Sequence, residues 1–197
     1  MADSVKFGLS NVRYAFMTEE EDGSVSFESA TTAIPGAVSL SISREGEETN
    51  FYADNRKYFN ANQNDGYTGT LEIAQAPEDF LVKALGWTKD HTTGHILENA
   101  DGVQQKFALL FEVKGNNELT GYCFYGVTAS RPEEEHNTKA ESIEVDTQSL
   151  DLTMVPVALT YNGATMNIVK DYMTFKTQAE VDTYLATVPM PTATTKE

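Results

Sequence analysis

Apolar and polar residues alternate with period two through most of the chain. In "AVSLSIS" (37–43), Val38, Leu40 and Ile42 fall on one face and Ala37, Ser39, Ser41 and Ser43 on the other. In "YTGTLEIAQ" (67–75), Leu71 and Ile73 point one way and Thr68, Thr70 and Glu72 the other. Each pattern predicts a strand with one buried face. "VRYAFM" (12–17) and "SVSFES" (24–29) flank "TEEEDG", whose Asp22-Gly23 pair signals a hairpin turn. "QKFALLFEVKG" (105–115) is nearly continuous in apolar residues, as a strand covered on both faces must be. "LTGYCFYGVTAS" (119–130) follows after the turn "KGNNE". "ESIEVDTQSLDLTMVPVAL" (141–159) reads as a long strand or strand pair. It sets Ile143 and Val145 against Glu144, Asp146 and Gln148, and a change of phase near 149–152 predicts a bulge. Pro156 must then stand at a strand edge or end.

Two segments carry helical period instead. "APEDFLVKALGW" (76–87) has Pro77 at the first helical position and Glu78 and Asp79 in its first turn. Phe80, Leu81, Ala84 and Leu85 form one stripe, with Gly86 as terminator. "TQAEVDTYLATVP" opens with Thr177 and Glu180 at capping-box spacing and aligns Val181, Tyr184, Leu185 and Val188. The expected architecture is mainly β, a single β-sandwich domain over 1–197 with a flanking short helix and a C-terminal helix and arm over 177–197.

Between the strands at 37–43 and 67–75 the pattern stops. Residues 44–66 show neither period, so a long inter-strand loop is expected there. Structureless loops longer than about 12–15 residues are uncommon and usually functional or disordered. This one carries Phe51, Tyr52, Tyr58 and Phe59 among Arg44, Glu45, Glu47, Glu48, Asp54, Arg56, Lys57 and Asp65, and disordered segments are poor in aromatics. The rings could form a stacking platform for sugars or bases, fold onto their own domain, or pack on a neighbouring subunit. Charges of both signs supply intersubunit pairs and favour a protein partner.

Composition narrows the classes of function. Thirty acidic residues against 14 basic give a net charge of −16, which repels free nucleic acid. The single cysteine, Cys123, forms no intrachain disulfide and reads as a small core residue. "MADSVKFGLSN" has no basic or apolar leader pattern, so no signal peptide is expected, and no apolar run spans a membrane. The phosphate-binding Gly-rich loop and the G-x-S-x-G elbow are both missing. His91 and His95 in "HTTGH" read as a turn or hairpin, and "EEED" (19–22) and "RPEEEH" (131–136) as solvated loop tips. No catalytic residue, metal site or cofactor is expected.

The order of these pieces resembles one family. The stretches "MADSVKFGLSNVRYAFM", "IPGAVSLSISREGEETNFYADNRKYF" and "GYTGTLEIAQAPEDFLVKALGW" carry the resemblance. So do "KFALLFEVKGNN" and "GYCFYGVTASRPEEEHNTKAESIEVDTQSLDLTMVP". Together they are similar to the major tail protein, or tail tube protein, of long non-contractile-tailed bacteriophages of Gram-positive hosts. The resemblance implies a virion protein assembled in the host cytoplasm. Homo-hexamer rings would stack into a hollow tube, and the inner sheets of six subunits would join into one β-barrel. The implied partners are the tape-measure protein in the lumen, tail terminator and distal tail proteins at the ends, and genomic DNA passing without specific binding. Carried onto this chain, Arg44, Glu47, Glu48, Phe51, Tyr52, Arg56, Lys57, Tyr58 and Phe59 belong to the loop between subunits and rings. Ser39, Ser41, Thr68, Thr70, Glu72, Glu144 and Asp146 would face the lumen, since the polar face of a closed half-polar sheet lines water. The alternatives are a β-sandwich carbohydrate-binding or host-adhesion module using Tyr52, Tyr58 and Tyr67, and a hydrolase with a carboxylate pair.

Overall fold

A strand that is apolar on both faces has to be covered twice, and the computed structural model is organised around one. It describes residues 5–21, 23–116, 118–134, 146–161 and 163–190, apart from the side chains of Ala53, Asn62 and Glu134. In chain order the strands are β1 (Lys6–Glu19), β2 (Val25–Phe27), β3 (Thr32–Ala33), β4 (Ala37–Glu45), β5 (Glu48–Ala53), β6 (Arg56–Asn62), β7 (Gly66–Ile73), β8 (Thr88–Lys89), β9 (Ile96–Leu97), β10 (Phe107–Gly115), β11 (Leu119–Ala129), β12 (Glu133–Glu134), β13 (Gln148–Val155), β14 (Val157–Tyr161), β15 (Ala164–Ile168) and β16 (Lys170–Phe175). The helices are α1 (Glu78–Leu85) and α2 (Gln178–Ala186). The protein is mainly β, and its sheets form a sandwich-like arrangement that does not close into a barrel within the single chain.

The main sheet runs β2-β1-β10-β11-β13-β7-β4, with β3 on β1, β12 on β13 and β16 on β11. β10 lies between β1 and β11, and Phe107 through Phe111 are all 5% exposed or less. Its side chains divide by parity between two cores. Phe107, Leu109 and Phe111 enter a cluster with Tyr14 and Phe16 of β1, Leu71 and Ile73 of β7, and Leu150, Leu152 and Met154 of β13. Ala108 and Leu110 enter the other, with Cys123 and Tyr125 of β11, Val157 and Leu159 of β14, and Val181 and Leu185 of α2. Glu112 continues that second face, fully buried, and its Oε2 accepts a 2.8 Å bond from Gln178 Nε2 of α2.

The helices act as lids. α1 closes the first core with the expected stripe Phe80, Leu81, Ala84 and Leu85, all buried. Phe80 meets Tyr14 and Phe107 edge to face, with ring centroids 4.9 and 5.2 Å apart. α2 closes the second core. Glu180 Oε2 accepts from the backbone N–H groups of Thr177 and Lys176 at 3.1 and 3.2 Å, which satisfies two donors at the helix start.

β11 has one flank shared by two strands. β13 pairs with Gly126–Ala129 and β16 with Leu119–Phe124. Between them the chain leaves as the β14–β15 hairpin and returns at Val169. A Cβ on Gly126 would stand 2.6 Å from Val157 Cγ2 and 2.8 Å from the Val155 carbonyl oxygen, so the exit needs a glycine there.

Several expectations change. Pro77 is the N-cap, with ψ of 134°, rather than the first helical residue. Val38 is 55% exposed and Ala37 packs against the core, the reverse of the simple alternation, because the register shifts between Ala37 and Ser39. No bulge occurs at 149–152: β13 pairs continuously with β7 from Gln148 to Met154. Pro156 stands between β13 and β14, at a strand end as expected. The stretch from 141 to 145 lies outside the described residues. The largest change concerns residues 44–66, which are not an unstructured loop; most of them form the β5–β6 hairpin.

Truncating Phe80 should open a cavity between α1 and the first core. Phe80→Ala is expected to lower the unfolding free energy by about 3–5 kcal/mol. Urea denaturation followed by the fluorescence of Trp87, which packs against the same cluster, reads this directly.

Candidate functional site

Three strands build the polar face. The pairings of β4, β7 and β13 align Ser39 with Glu72 and Ser149, Ser41 with Thr70 and Asp151, and Ser43 with Thr68 and Thr153. The intervening rows, Leu40–Leu71–Leu150 and Ile42–Gly69–Leu152, turn into the first core. The outward rows contain only hydroxyls and carboxylates. They are cross-linked: Ser39 Oγ donates to Glu72 Oε2 at 3.0 Å, Thr70 Oγ1 to Asp151 Oδ1 at 2.9 Å, and Thr68 Oγ1 to Glu45 Oε1 at 2.8 Å. Thr147 Oγ1 adds a 2.9 Å bond to Glu72 Oε1.

The structure therefore brings Ser39, Ser41, Thr68, Thr70 and Glu72 onto one face. Asp146 is exposed just ahead of β13, and Glu144 lies outside the described residues. Ser149, Asp151 and Thr153 complete the face and were missed. Their signal was available in "QSLDLTM", where they alternate with Leu150, Leu152 and Met154.

The β4–β7 ladder continues into the protruding hairpin. Backbone bonds from Gln63 N to Glu47 O (3.1 Å) and Asp65 N to Glu45 O (3.2 Å) bridge the two. Gly46 takes φ of 140° at the junction, where a Cβ would lie 2.0 Å from the Gln63 carbonyl oxygen. At the tip Asp54 and Asn55 both have positive φ, 51° and 58°, as a type I′ turn requires. One extra residue, Tyr58, bulges β6 between the Phe51–Phe59 and Tyr52–Lys57 pairs.

The two faces of the hairpin differ. On one, Lys57 Nζ donates to Glu48 Oε1 at 2.7 Å, and Asn60 Nδ2 donates to Glu48 Oε1 at 2.5 Å and to Asn50 Oδ1 at 3.1 Å. Phe51 and Phe59 pair across the other. Phe51, Tyr52, Tyr58 and Phe59 are 58%, 66%, 66% and 57% exposed. They do not fold back on their own domain. Arg44 and Glu47 stand exposed at the base and Arg56 near the turn. Tyr67 is not part of an exposed platform with Tyr52 and Tyr58. Its ring meets Phe124 edge to face at 5.6 Å, with Lys170 Nζ 4.8 Å from its centroid.

Elsewhere little converges. His91 and His95 occupy the turn of the β8–β9 hairpin, closed by the Asp90 N to His95 O bond. Cys123 is buried, and desolvation raises its thiol well above the ordinary value. Among the described residues no group of three or more His, Cys, Asp or Glu side chains is placed to hold a metal, and no helix is long and apolar enough to cross a membrane. The groove between β16 and α2 and the depressions beside β2 bring no pair of carboxylates together.

The Glu48 network gives a pH test. Its carboxyl is held below the ordinary range, first by the Lys57 bond and then by Asn60 and Asn50. A depressed folded-state value means that the network's contribution is complete above the unfolded glutamate value and disappears as the pH falls through the lowered one. Amide signals of Asn50, Lys57 and Asn60 in a ¹⁵N-labelled sample should titrate with a midpoint below that of glutamate in an unstructured peptide. A midpoint at the peptide value would show that the polar face is not formed in solution.

No protein-family model matches the chain, and no curated protein matches it.

Proposed function

We propose that this chain is the structural subunit of a bacteriophage tail tube of the long, non-contractile kind. Its rings, six subunits each, stack into a hollow conduit for DNA around a tape-measure protein. The observation that carries this reading is the β5–β6 hairpin. A two-stranded ribbon is marginal alone in water. This one leaves four aromatic rings more than half exposed, which supports a surface that a partner covers. Donor and acceptor surfaces that differ give head-to-tail contacts, which close rings or propagate filaments.

The β4-β7-β13 face supports the same reading. Its outward rows are hydroxyls and carboxylates over an apolar core, and the chain carries −16 overall. A channel wall of that chemistry is wetted and repels phosphates, the converse of the counterion release that drives DNA binding. The terminal strand β4 pairs only with β7 among the described residues, so the sheet can be continued by a neighbouring subunit.

Negative-stain electron microscopy of the purified protein over a concentration series tests the reading. Hollow rings or tubes with six-fold end views are the expected result, and a monodisperse particle of subunit mass at every concentration, with or without preformed tube ends as seeds, overturns it. The double variant Phe51→Ala/Tyr58→Ala should remain a folded monomer that melts with the parent and fails to polymerise. Early melting of the monomer would instead place those rings in its own fold.

A further inference from the structure

The strand β16 has the properties of an acceptor. It pairs with β11 through six consecutive residues, Lys170 to Phe175, without a register shift, and no described strand pairs with its other side. Protein edges are usually blunted by bulges, prolines, charges or a covering element. β16 has no bulge or proline along this run and presents large side chains on both faces at its centre: Tyr172 is 60% exposed and Met173 55%.

Each face of that edge is also unfinished. On one, Phe111, Tyr122 and Tyr172 come from three adjacent strands. Their centroids are 5.1 and 5.8 Å apart and their planes 17° and 26° apart. That spacing is close to the roughly 4.8 Å between strands, so the rings stand upright in a row, face against face. The row ends at Tyr172. On the other face an open groove of about 540 Å³ lies between β16 and α2, lined by Met173, Phe175, Ala179, Thr183 and Tyr184 with Glu180 at its side.

The strand that fits must carry rings at consecutive positions, one for each face. β5 does so. Phe51 and Tyr52 are neighbours in sequence, point to opposite faces of the hairpin and are both exposed. Of the two hairpin edges, β6 carries the extra residue Tyr58, and a bulged edge pairs poorly. Charge agrees as well. From Glu45 to Asp65 the arm carries Glu45, Glu47, Glu48, Asp54 and Asp65 against Arg56 and Lys57, whereas Lys170 and Lys176 bracket the acceptor. Asp171 and Glu180 balance these two lysines, so the acceptor is close to neutral in a chain that is acidic overall.

We propose that β5 of one copy adds to the free edge of β16 in a second copy. Tyr52 then continues the ring row beyond Tyr172, and Phe51 enters the groove beside Met173. The backbone ladder supplies affinity and the alternate side chains supply register, as in other strand additions. This inference rests on the assembly reading and names its receiving surface.

Full-length chains carrying Tyr52→Cys are mixed with chains carrying Tyr172→Cys, under conditions where the parent assembles, and oxidised. Cys123 is buried and contributes little background. Mixed disulfide dimers should exceed both like-with-like dimers, and Met173→Lys should weaken association roughly tenfold or more without lowering the melting temperature. Normal assembly of Met173→Lys with no mixed dimers overturns the pairing and leaves the tube reading intact. No assembly of the parent under any condition removes both. Protection of Tyr172→Cys from a thiol reagent in dilute monomer also overturns the pairing, because a segment of the same chain would then cover the edge.

Discussion

Double coverage of β10 is the constraint from which the remaining structure follows. A strand with Phe107, Leu109 and Phe111 on one face and Ala108 and Leu110 on the other cannot lie at a surface. Each face removes its side chains from water at roughly 25 cal/mol per Å² of apolar area. The first face recruits β7, β13 and α1. The second is small at Ala108, as is the neighbouring Cys123 of β11, and this lets α2 and the β14 strand approach. The β14–β15 excursion belongs to this solution. It carries Val157 and Leu159 out of the flank of β11 and over the second core, and Gly126 makes room for the exit.

Much of this was legible because burial writes itself as periodicity. The continuous apolar run at 105–115, the stripe of α1, the Thr177–Glu180 cap and the serine alternation of β4 all reflect a side chain with one environment inside and another outside. The β5–β6 hairpin was not legible for the complementary reason. Neither of its faces is buried in the monomer, so Phe51-Tyr52 and Tyr58-Phe59 fall in adjacent pairs and destroy the alternation. Only Asp54-Asn55 marked the turn. The same holds for β16, where Tyr172 and Met173 are adjacent and both exposed, and the sequence from 160 to 176 suggested no element at all. An element with no buried face leaves no periodicity to find. On the polar face the first two columns were readable, but the third was sought at Glu144 and Asp146, a few residues before Ser149, Asp151 and Thr153, which complete it.

Charge constrains how such a chain can associate. The few cations are largely occupied within the subunit. Lys83 and Lys106 pair with Glu28 and Glu19, Lys6 Nζ donates to the Tyr122 hydroxyl, and Arg13 donates to the Thr31 hydroxyl and carbonyl oxygens. Long-range attraction between copies is therefore weak, and the net charge opposes approach until ions screen it. Contact energy has to come from short-range sources, apolar rings and backbone hydrogen bonds. The chain leaves both exposed in the arm and at β16.

The pairing of β1 with β10 also dictates when the body of the protein can exist. Tyr14 lies opposite Leu109, so the central ladder joins segments about a hundred residues apart. On a ribosome adding about 5–20 residues per second, β1 waits several seconds for β10. The β4–β7 hairpin, with its arm, closes from local contacts and needs no such delay. During synthesis the element with the most exposed aromatic surface thus matures before the cores that anchor it. The nascent chain therefore shows its rings before it has a body to carry them, an order of events set by strand sequence alone.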